Sequence, residues 1–158
     1  MSKGLVVVVG VGVGIGGAVA KRFAKGGYRV AICSRNLTYS GADKLTPLQK
    51  EIEKEGGEVV CCQMDAADSA SVSDVFSKLG PVDVLVYNAG ARDFAPVSIE
   101  DTDPNKFLNY WKVNCFGAFL CSRAVIKGMK ERRNGTILFT GATASLRGSA
   151  GMSSFSPG

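Results

Sequence analysis

A three-layer α/β fold, built on a doubly wound parallel sheet of about five strands, is what this sequence predicts, and three observations carry it. Short apolar runs alternate with amphipathic stretches of helical length along the whole chain. Each amphipathic stretch is long enough for a right-handed crossover that returns the chain to the same sheet. The first apolar run, Leu5–Val9, is unbroken and mostly β-branched, the composition of a strand buried on both faces. Strands in this cadence give the spatial order 3-2-1-4-5.

Each element has its own signal. After Leu5–Val9, a helix is expected from about Ile15, with Ile15, Ala18, Val19 and Phe23 on one face and Gly26-Gly27 as its stop. Residues 29–33 read as the second strand. Thr46-Pro47-Leu48-Gln49 then offers an N-cap, a proline at the first helical position and a capping-box Gln, with Leu48 and Ile52 facing inward before Gly56-Gly57. Val59–Gln63 is the third strand. Asp68 is placed to cap a helix carrying Val72, Val75, Phe76 and Leu79, closed by Gly80-Pro81. Residues 82–87 form the fourth strand. Asp103-Pro104 opens a long helix through Phe107, Trp111, Phe116 and Leu120 to about Arg132, and residues 136–140 are the fifth strand.

The bulk numbers bound the partners. With 158 residues, 46% hydrophobic and 21% charged, the chain suits one soluble domain over residues 1–158. A net charge of +5 suits anionic ligands, a phosphorylated cofactor among them. The densest cations, Lys127, Lys130, Arg132 and Arg133, sit at an expected helix end, where they complement the helix dipole and face water. That reading is preferred to a nucleic-acid patch. Five cysteines without C-x-x-C spacing, and no histidine, predict no metal site and reduced, buried thiols. The apolar run at the start is too short for a signal sequence or a bilayer span, so no membrane contact and a cytoplasmic location are expected.

The chemistry concentrates where the first strand turns into the first helix, at Val9-Gly10-Val11-Gly12-Val13-Gly14-Ile15-Gly16. Glycines there let the backbone approach a pyrophosphate, and the helix N-terminus supplies free N–H groups and positive potential. Glycines also make plain turns, but a strand before and a helix after favour phosphate binding. At the end of the second strand lies Cys33-Ser34-Arg35-Asn36, with no acid to take a ribose 2′-OH. Arg35 can fork onto a 2′-phosphate and Ser34 can donate to it, which favours NADP(H) over NAD(H). The alternative is a solvated surface arginine.

Gly10-x-x-x-Gly14-Ile15-Gly16, Asp65-Ala66, Asn88-Ala89-Gly90 and Asn114 in Val113-Asn114-Cys115-Phe116-Gly117 resemble, in order and spacing, the short-chain dehydrogenase/reductase pattern. The resemblance implies a Rossmann fold and hydride transfer between a nicotinamide and a small-molecule carbonyl or alcohol. It implies that Asp65 accepts from the adenine amino group, with helix capping by nearby Asp68 as the plainer role for a carboxylate there. Asn88, Ala89 and Gly90 would lie under the adenosine ribose and stabilise the central sheet. Asn114 would kink the long helix and hold a water in a proton relay. That helix, residues 103–132, resembles one side of the family's homo-oligomer interface.

The resemblance also shows departures. The family polarises the carbonyl with a Ser and moves the proton with a Tyr thirteen residues on, followed four residues later by a Lys. Here Ala142 falls on the serine position and Phe155 on the tyrosine position, and the lysine position lies beyond Gly158. The chain is expected to end before the substrate-binding segment and the family's last strands, leaving the fifth strand as an uncovered apolar edge. Thr143 or Ser145 could supply a substitute hydroxyl, although each suits a loop residue bonding its own backbone. Three readings follow: an NADP(H)-binding family member with weak or absent catalysis, a working reductase with displaced catalytic groups, and a non-enzymatic cofactor sensor or interaction module. Turnover separates the second from the others, and partner capture separates the third from the first.

Overall fold

The chain runs β1 (Leu5–Val9), α1 (Ile15–Lys25), β2 (Arg29–Ser34), β3 (Thr38–Tyr39), β4 (Ala42–Asp43), α2 (Thr46–Lys54), β5 (Val59–Gln63), α3 (Ser69–Leu79) and β6 (Val84–Tyr87). It continues with α4 (Pro104–Trp111), a π-helical turn (Lys112–Phe116), α5 (Gly117–Arg132), β7 (Thr136–Phe139) and α6 (Thr143–Leu146). The structure is a computed structural model and describes residues 2–36, 38–39, 42–43, 45–91, 97–148 and 150–157. Five strands form one parallel sheet in the order β5-β2-β1-β6-β7, which is the predicted 3-2-1-4-5. β3 and β4 pair as a small antiparallel hairpin that the sequence reading did not foresee.

β1 is buried along its whole length because both faces carry a helical layer. Val6 and Val8 pack with Ala20, Ala24, Leu48 and Ile52 of α1 and α2. Val7 and Val9 pack with Val72, Val75, Leu120 and Val125 of α3 and α5. The register pairs Val9 with Cys33 on one side and with Tyr87 on the other, so the C-terminal ends of β1, β2 and β6 stand level.

Several local expectations are corrected. Ile15 is 56% exposed and Ala18 also faces out; the inner face of α1 is Gly16, Gly17, Ala20 and Ala24. A Cβ on Gly17 would run into the Gly12 carbonyl oxygen, so close packing selects missing side chains rather than large ones. In α2, Leu45 rather than Thr46 occupies the N-cap position, with Pro47 in the first turn as expected. Gln49 makes no capping box: its Nε2 donates forward to Glu53 Oε1 at 2.9 Å. Asp68 does cap α3, its Oδ1 accepting from the Ala70 and Ser71 N–H groups at 2.7 and 3.0 Å.

The long helix is not continuous. The π-helical turn inserts an extra residue into the ladder and rotates the phase of α5 against α4. Phe107 and Trp111 consequently stay 40% exposed, while Tyr110, Gly117, Leu120, Cys121, Val125 and Met129 make the buried stripe. Strand ends shift by one or two residues: β2 includes Ser34, β6 begins at Val84, and β7 stops at Phe139. β7 lies at the sheet edge with Leu138 and Phe139 substantially exposed, as expected. None of the five cysteines is in a disulfide, but only Cys33 and Cys121 are buried; Cys61 and Cys62 are half-buried and Cys115 is exposed. Among the described residues no helix is long and apolar enough to cross a membrane.

Candidate functional site

The glycine segment is pinned on both sides. Gly10 N and Val11 N both donate to the Cys33 carbonyl, at 2.9 and 3.1 Å. On the other side, Asn88 N donates to Val9 O and Asn88 Nδ2 donates to Gly10 O, each at 2.8 Å. Gly10 holds φ +85°, and a Cβ there would strike the Ala89 backbone. A Cβ on Gly16 would lie 2.6 Å from Gly10 O and 2.9 Å from Asn88 Nδ2. Gly12 and Gly14 differ in kind, because among the described residues a Cβ on either would meet nothing within 4 Å. Gly14 is the N-cap of α1, with no side-chain cap and no acid in the first turn. The positive end of α1 therefore faces an open cradle, with exposed Val13 and Ile15 at its rim. The cradle lies between the ends of β1 and β6, where the strand order reverses.

Beyond β2, Ser34 is 5% exposed and its hydroxyl donates to Asn36 O at 3.0 Å, so the expected anion donor is already engaged. Arg35 and Asn36 are exposed, and Gln63 Nε2 holds the Arg35 carbonyl at 3.2 Å. The Arg35 guanidinium has no ion pair among the described residues. Asp65 follows β5. Its Oδ1 accepts from Ala67 N at 2.9 Å, its N–H donates to Ser71 Oγ at 3.0 Å, and its Oδ2 has no partner among the described residues. A free acceptor therefore sits beside the end of the sheet, and the neighbouring Asp68 is the capping carboxylate.

Asn114 lies within the π-helical turn and ties it to the loop after β6, its Oδ1 accepting from Ala91 N at 2.8 Å. A Cβ on Gly90 would lie 3.8 Å from that same oxygen. The site thus joins Gly10, Asn88, Ala89, Gly90 and Asn114 into one hydrogen-bonded arc. Sequence reasoning missed the residue that supports it. Tyr87, buried at the end of β6, donates its hydroxyl to the Val113 carbonyl, while Gly117 N donates to Lys112 O. Burial, with nearby Cys121 and Asp65, pushes the Tyr87 phenol well above its ordinary value, so it remains a donor. A Cβ on Gly117 would collide with the Tyr87 hydroxyl oxygen. The signal was available: a tyrosine ending an aliphatic buried strand must find a partner for its O–H.

The loop after β7 carries Ala142 at the N-cap of α6, exposed. The Ala142 carbonyl accepts from Ser145 N at 3.1 Å and from Ser145 Oγ at 2.6 Å, so Ser145 bonds its own backbone. Thr143 is exposed, and its hydroxyl has no partner among the described residues. Phe155 packs edge-on against Tyr110, centroids 6.2 Å apart at 88°. The segment around it is held by Val97 N to Gly151 O at 3.1 Å and by the Thr102–Ser153 hydroxyl pair at 2.6 Å. Among the described residues no group of His, Cys, Asp and Glu could hold a metal.

This arrangement can bind a diphosphate at a helix N-terminus and present an arginine and a carboxylate to the two sides of a nucleotide. The short chain dehydrogenase model matches residues 4–157. The 3-ketodihydrosphingosine reductase of Bos taurus is 36% identical over 160 residues, covering 96% of this chain and 46% of that protein. A metagenomic short-chain oxidoreductase in complex with NADP superposes with TM-score 0.90 at 26% identity, over 99% of this chain and 70% of that one. A 7α-hydroxysteroid dehydrogenase complexed with NADH and 7-oxo glycochenodeoxycholic acid gives TM-score 0.86 at 28% identity, over 99% and 60%. The chain spans about half the length of the curated relatives it matches. With sheet order, glycine loop and family match in agreement, the chain belongs to the short-chain dehydrogenase family of oxidoreductases.

Proposed function

We propose that this chain binds NADP(H) in preference to NAD(H), and that the residues it presents reduce carbonyls weakly or not at all. The observation that carries the binding is the split among its glycines: Gly10 and Gly16 are jammed against protein, whereas Gly12 and Gly14 border open space beside a helix N-terminus. The pyrophosphate lies against Gly12, Gly14 and Ile15, held by the N–H groups of the first turn. Asp65 Oδ2 accepts from the adenine amino group, and Asn88-Ala89-Gly90 lies beneath the adenosine ribose. Arg35, exposed and without an ion pair among the described residues, takes the 2′-phosphate. Ser34 acts one step back, its hydroxyl fixing the Asn36 carbonyl so that the Arg35-Asn36 turn keeps its shape.

When bound, the cofactor supplies or accepts the hydride. What the protein must add is a donor to polarise the carbonyl and a proton, each typically worth ~10²–10⁴ in rate. Ala142 and Phe155 have no O–H to offer, and Ser145 spends its hydroxyl on Ala142. Asn114 has its side-chain oxygen on the Ala91 N–H, and its two amide N–H groups are left to hold a relay water.

Fluorescence titration tests the binding. NADPH is expected to bind at least several-fold tighter than NADH, since a charge-assisted arginine–phosphate contact is worth ~1.5–3 kcal/mol. Arg35→Asp should reverse the order, and equal affinities in the native chain would overturn the assignment. Single-turnover NADPH oxidation with 3-ketodihydrosphingosine and an aldehyde and ketone panel tests the second half. One observation favours a working reductase with displaced groups, the Thr143 hydroxyl, which has no partner among the described residues. Robust turnover that disappears in Thr143→Ala would establish that reading instead.

A further inference from the structure

We propose that Cys33 and Cys62 form a reversible disulfide under hydroperoxide, and that this bond loosens the anchor of the glycine loop. The parallel register of β2 and β5 pairs Cys33 directly with Cys62, and both side chains join the layer facing α3 and α5. Laterally paired residues stand at the strand spacing of ~4.8 Å, inside the ~4.4–6.8 Å Cα range of disulfides. The other thiols are excluded by placement. Cys61 points to the opposite face, where its Sγ donates to Gln49 Oε1 at 3.2 Å. Cys121 lies on α5 and Cys115 on the π-helical turn, both off the strand register that sets Cys33 beside Cys62.

The two partners are unlike, as a reacting pair requires. Cys62 is half-buried, and the hydrogen bond from Cys33, with the Arg29 charge, lowers its pKa and favours its thiolate. Cys33 is wholly buried and is held as a thiol by that bond to Cys62 and by burial. The Cys62 thiolate attacks the peroxide O–O bond; an S–O bond forms, and the departing alkoxide takes a proton and leaves as an alcohol. The Cys33 sulfur then attacks the Cys62 sulfenic acid; the S–S bond forms, the S–O bond breaks, and water leaves with the Cys33 proton. Two thiols lose two electrons and one hydroperoxide gains them. A dithiol reverses the reaction by exchange.

The consequence follows from Cys33's own carbonyl, which accepts both the Gly10 and the Val11 N–H. A disulfide draws Cβ atoms to ~3.8 Å, closer than the strand spacing, so β2 is pulled toward β5 at the residue that anchors the loop. A bond formed under such strain is also easily reduced. Any effect on NADP(H) affinity rests on the function proposed above; the cross-link and the loosened loop do not.

The experiment treats the native chain with hydrogen peroxide and maps tryptic peptides without reduction. The expected product joins residues 30–35 to residues 55–78 two hydrogens below their summed mass and separates with dithiothreitol. It should persist in Cys61→Ser and vanish in Cys62→Ser. In Cys33→Ala, Cys62 should stop at a sulfenic acid trapped by dimedone. Amide exchange at Gly10 and Val11 should speed about tenfold in the oxidised form. A free Cys33 thiol after treatment, or Cys62 carried to sulfinic acid with no cross-link, overturns the pair. A cross-link with unchanged Gly10 and Val11 exchange overturns the coupling. Failure of both forms to bind NADPH counts against the cofactor reading, and the mass and exchange results still decide this one.

Discussion

The four glycines of the loop can be separated by experiment, because the structure assigns them opposite penalties. In Gly16→Ala the new methyl sits 2.6 Å from Gly10 O and 2.9 Å from an amide nitrogen that must keep its bond to Gly10. Overpacking of this kind costs ~1–3 kcal/mol. Gly10→Ala meets backbone as well and must hold φ +85°, which adds ~1–2 kcal/mol for an L-residue. Gly12→Ala and Gly14→Ala meet nothing among the described residues and have no positive φ. They should stay within ~1 kcal/mol of the parent, the less flexible unfolded chain offsetting any local cost. At ~2–4 °C per kcal/mol for a chain of this size, the first pair should melt several degrees low, Gly10→Ala lowest, and the second pair close to the parent.

Ligand affinity should run the other way in the second pair. Gly12→Ala should weaken NADPH binding tenfold or more, and Gly14→Val should abolish it, although both fold. The assays are calorimetric melting of the ligand-free variants and NADPH titration of each. A Gly14→Val protein that binds like the parent would remove the open cradle from the site. A low-melting Gly12→Ala would show that its space is filled by protein.

Other perturbations probe separate links. Asp68→Ala removes two bonds to the first turn of α3 and should cost about 1 kcal/mol in urea unfolding, with no change in cofactor affinity. Stability should fall in alkali: the Cys121 thiol ionises near 9.0 when unfolded, and burial pushes it up to about 12 when folded. Its contribution is thus complete below pH 9 and lost as pH rises toward 12, and Cys121→Ala should flatten that slope. Ala142→Ser with Phe155→Tyr should leave NADPH affinity within twofold, since Ala142 is exposed and the Phe155 ring packs on Tyr110. A larger affinity change by titration would place those positions in the binding half.

The sheet was legible because its signals are additive. Unbroken β-branched runs mark buried strands, and helices between them leave one parallel order. The misses share a physical cause, which is that the deciding contact lies outside the local window. The inner face of α1 was assigned to Ile15 and Ala18 from helical spacing of apolar residues, yet proximity to the glycine loop demanded Gly16 and Gly17. The break in the long helix falls at Asn114, where the resemblance puts a kink, but the Tyr87 hydroxyl that meets Val113 there comes from another strand. Gln49 had a capping-box spacing but found Glu53 one turn on. β3, β4 and α6 are too short to generate any periodicity.

The candidate site divides along the same line. Its binding half is made mostly of backbone: glycine positions, the Cys33 and Gly10 carbonyls, and the first N–H groups of α1. Spacing in the sequence fixes such features, because only glycine permits them and the strand register levels Val9, Cys33 and Tyr87. Side chains were less readable even where their positions were right. Ser34 sits at the end of β2 as expected, but its hydroxyl serves Asn36. Catalysis depends wholly on side-chain identity, so one substitution can remove it without a trace in the fold. Ala142 caps α6 through its backbone, and Phe155 packs on Tyr110 by its ring. Neither role needs the hydroxyl that the family's chemistry requires, so the scaffold places no constraint of its own on keeping one.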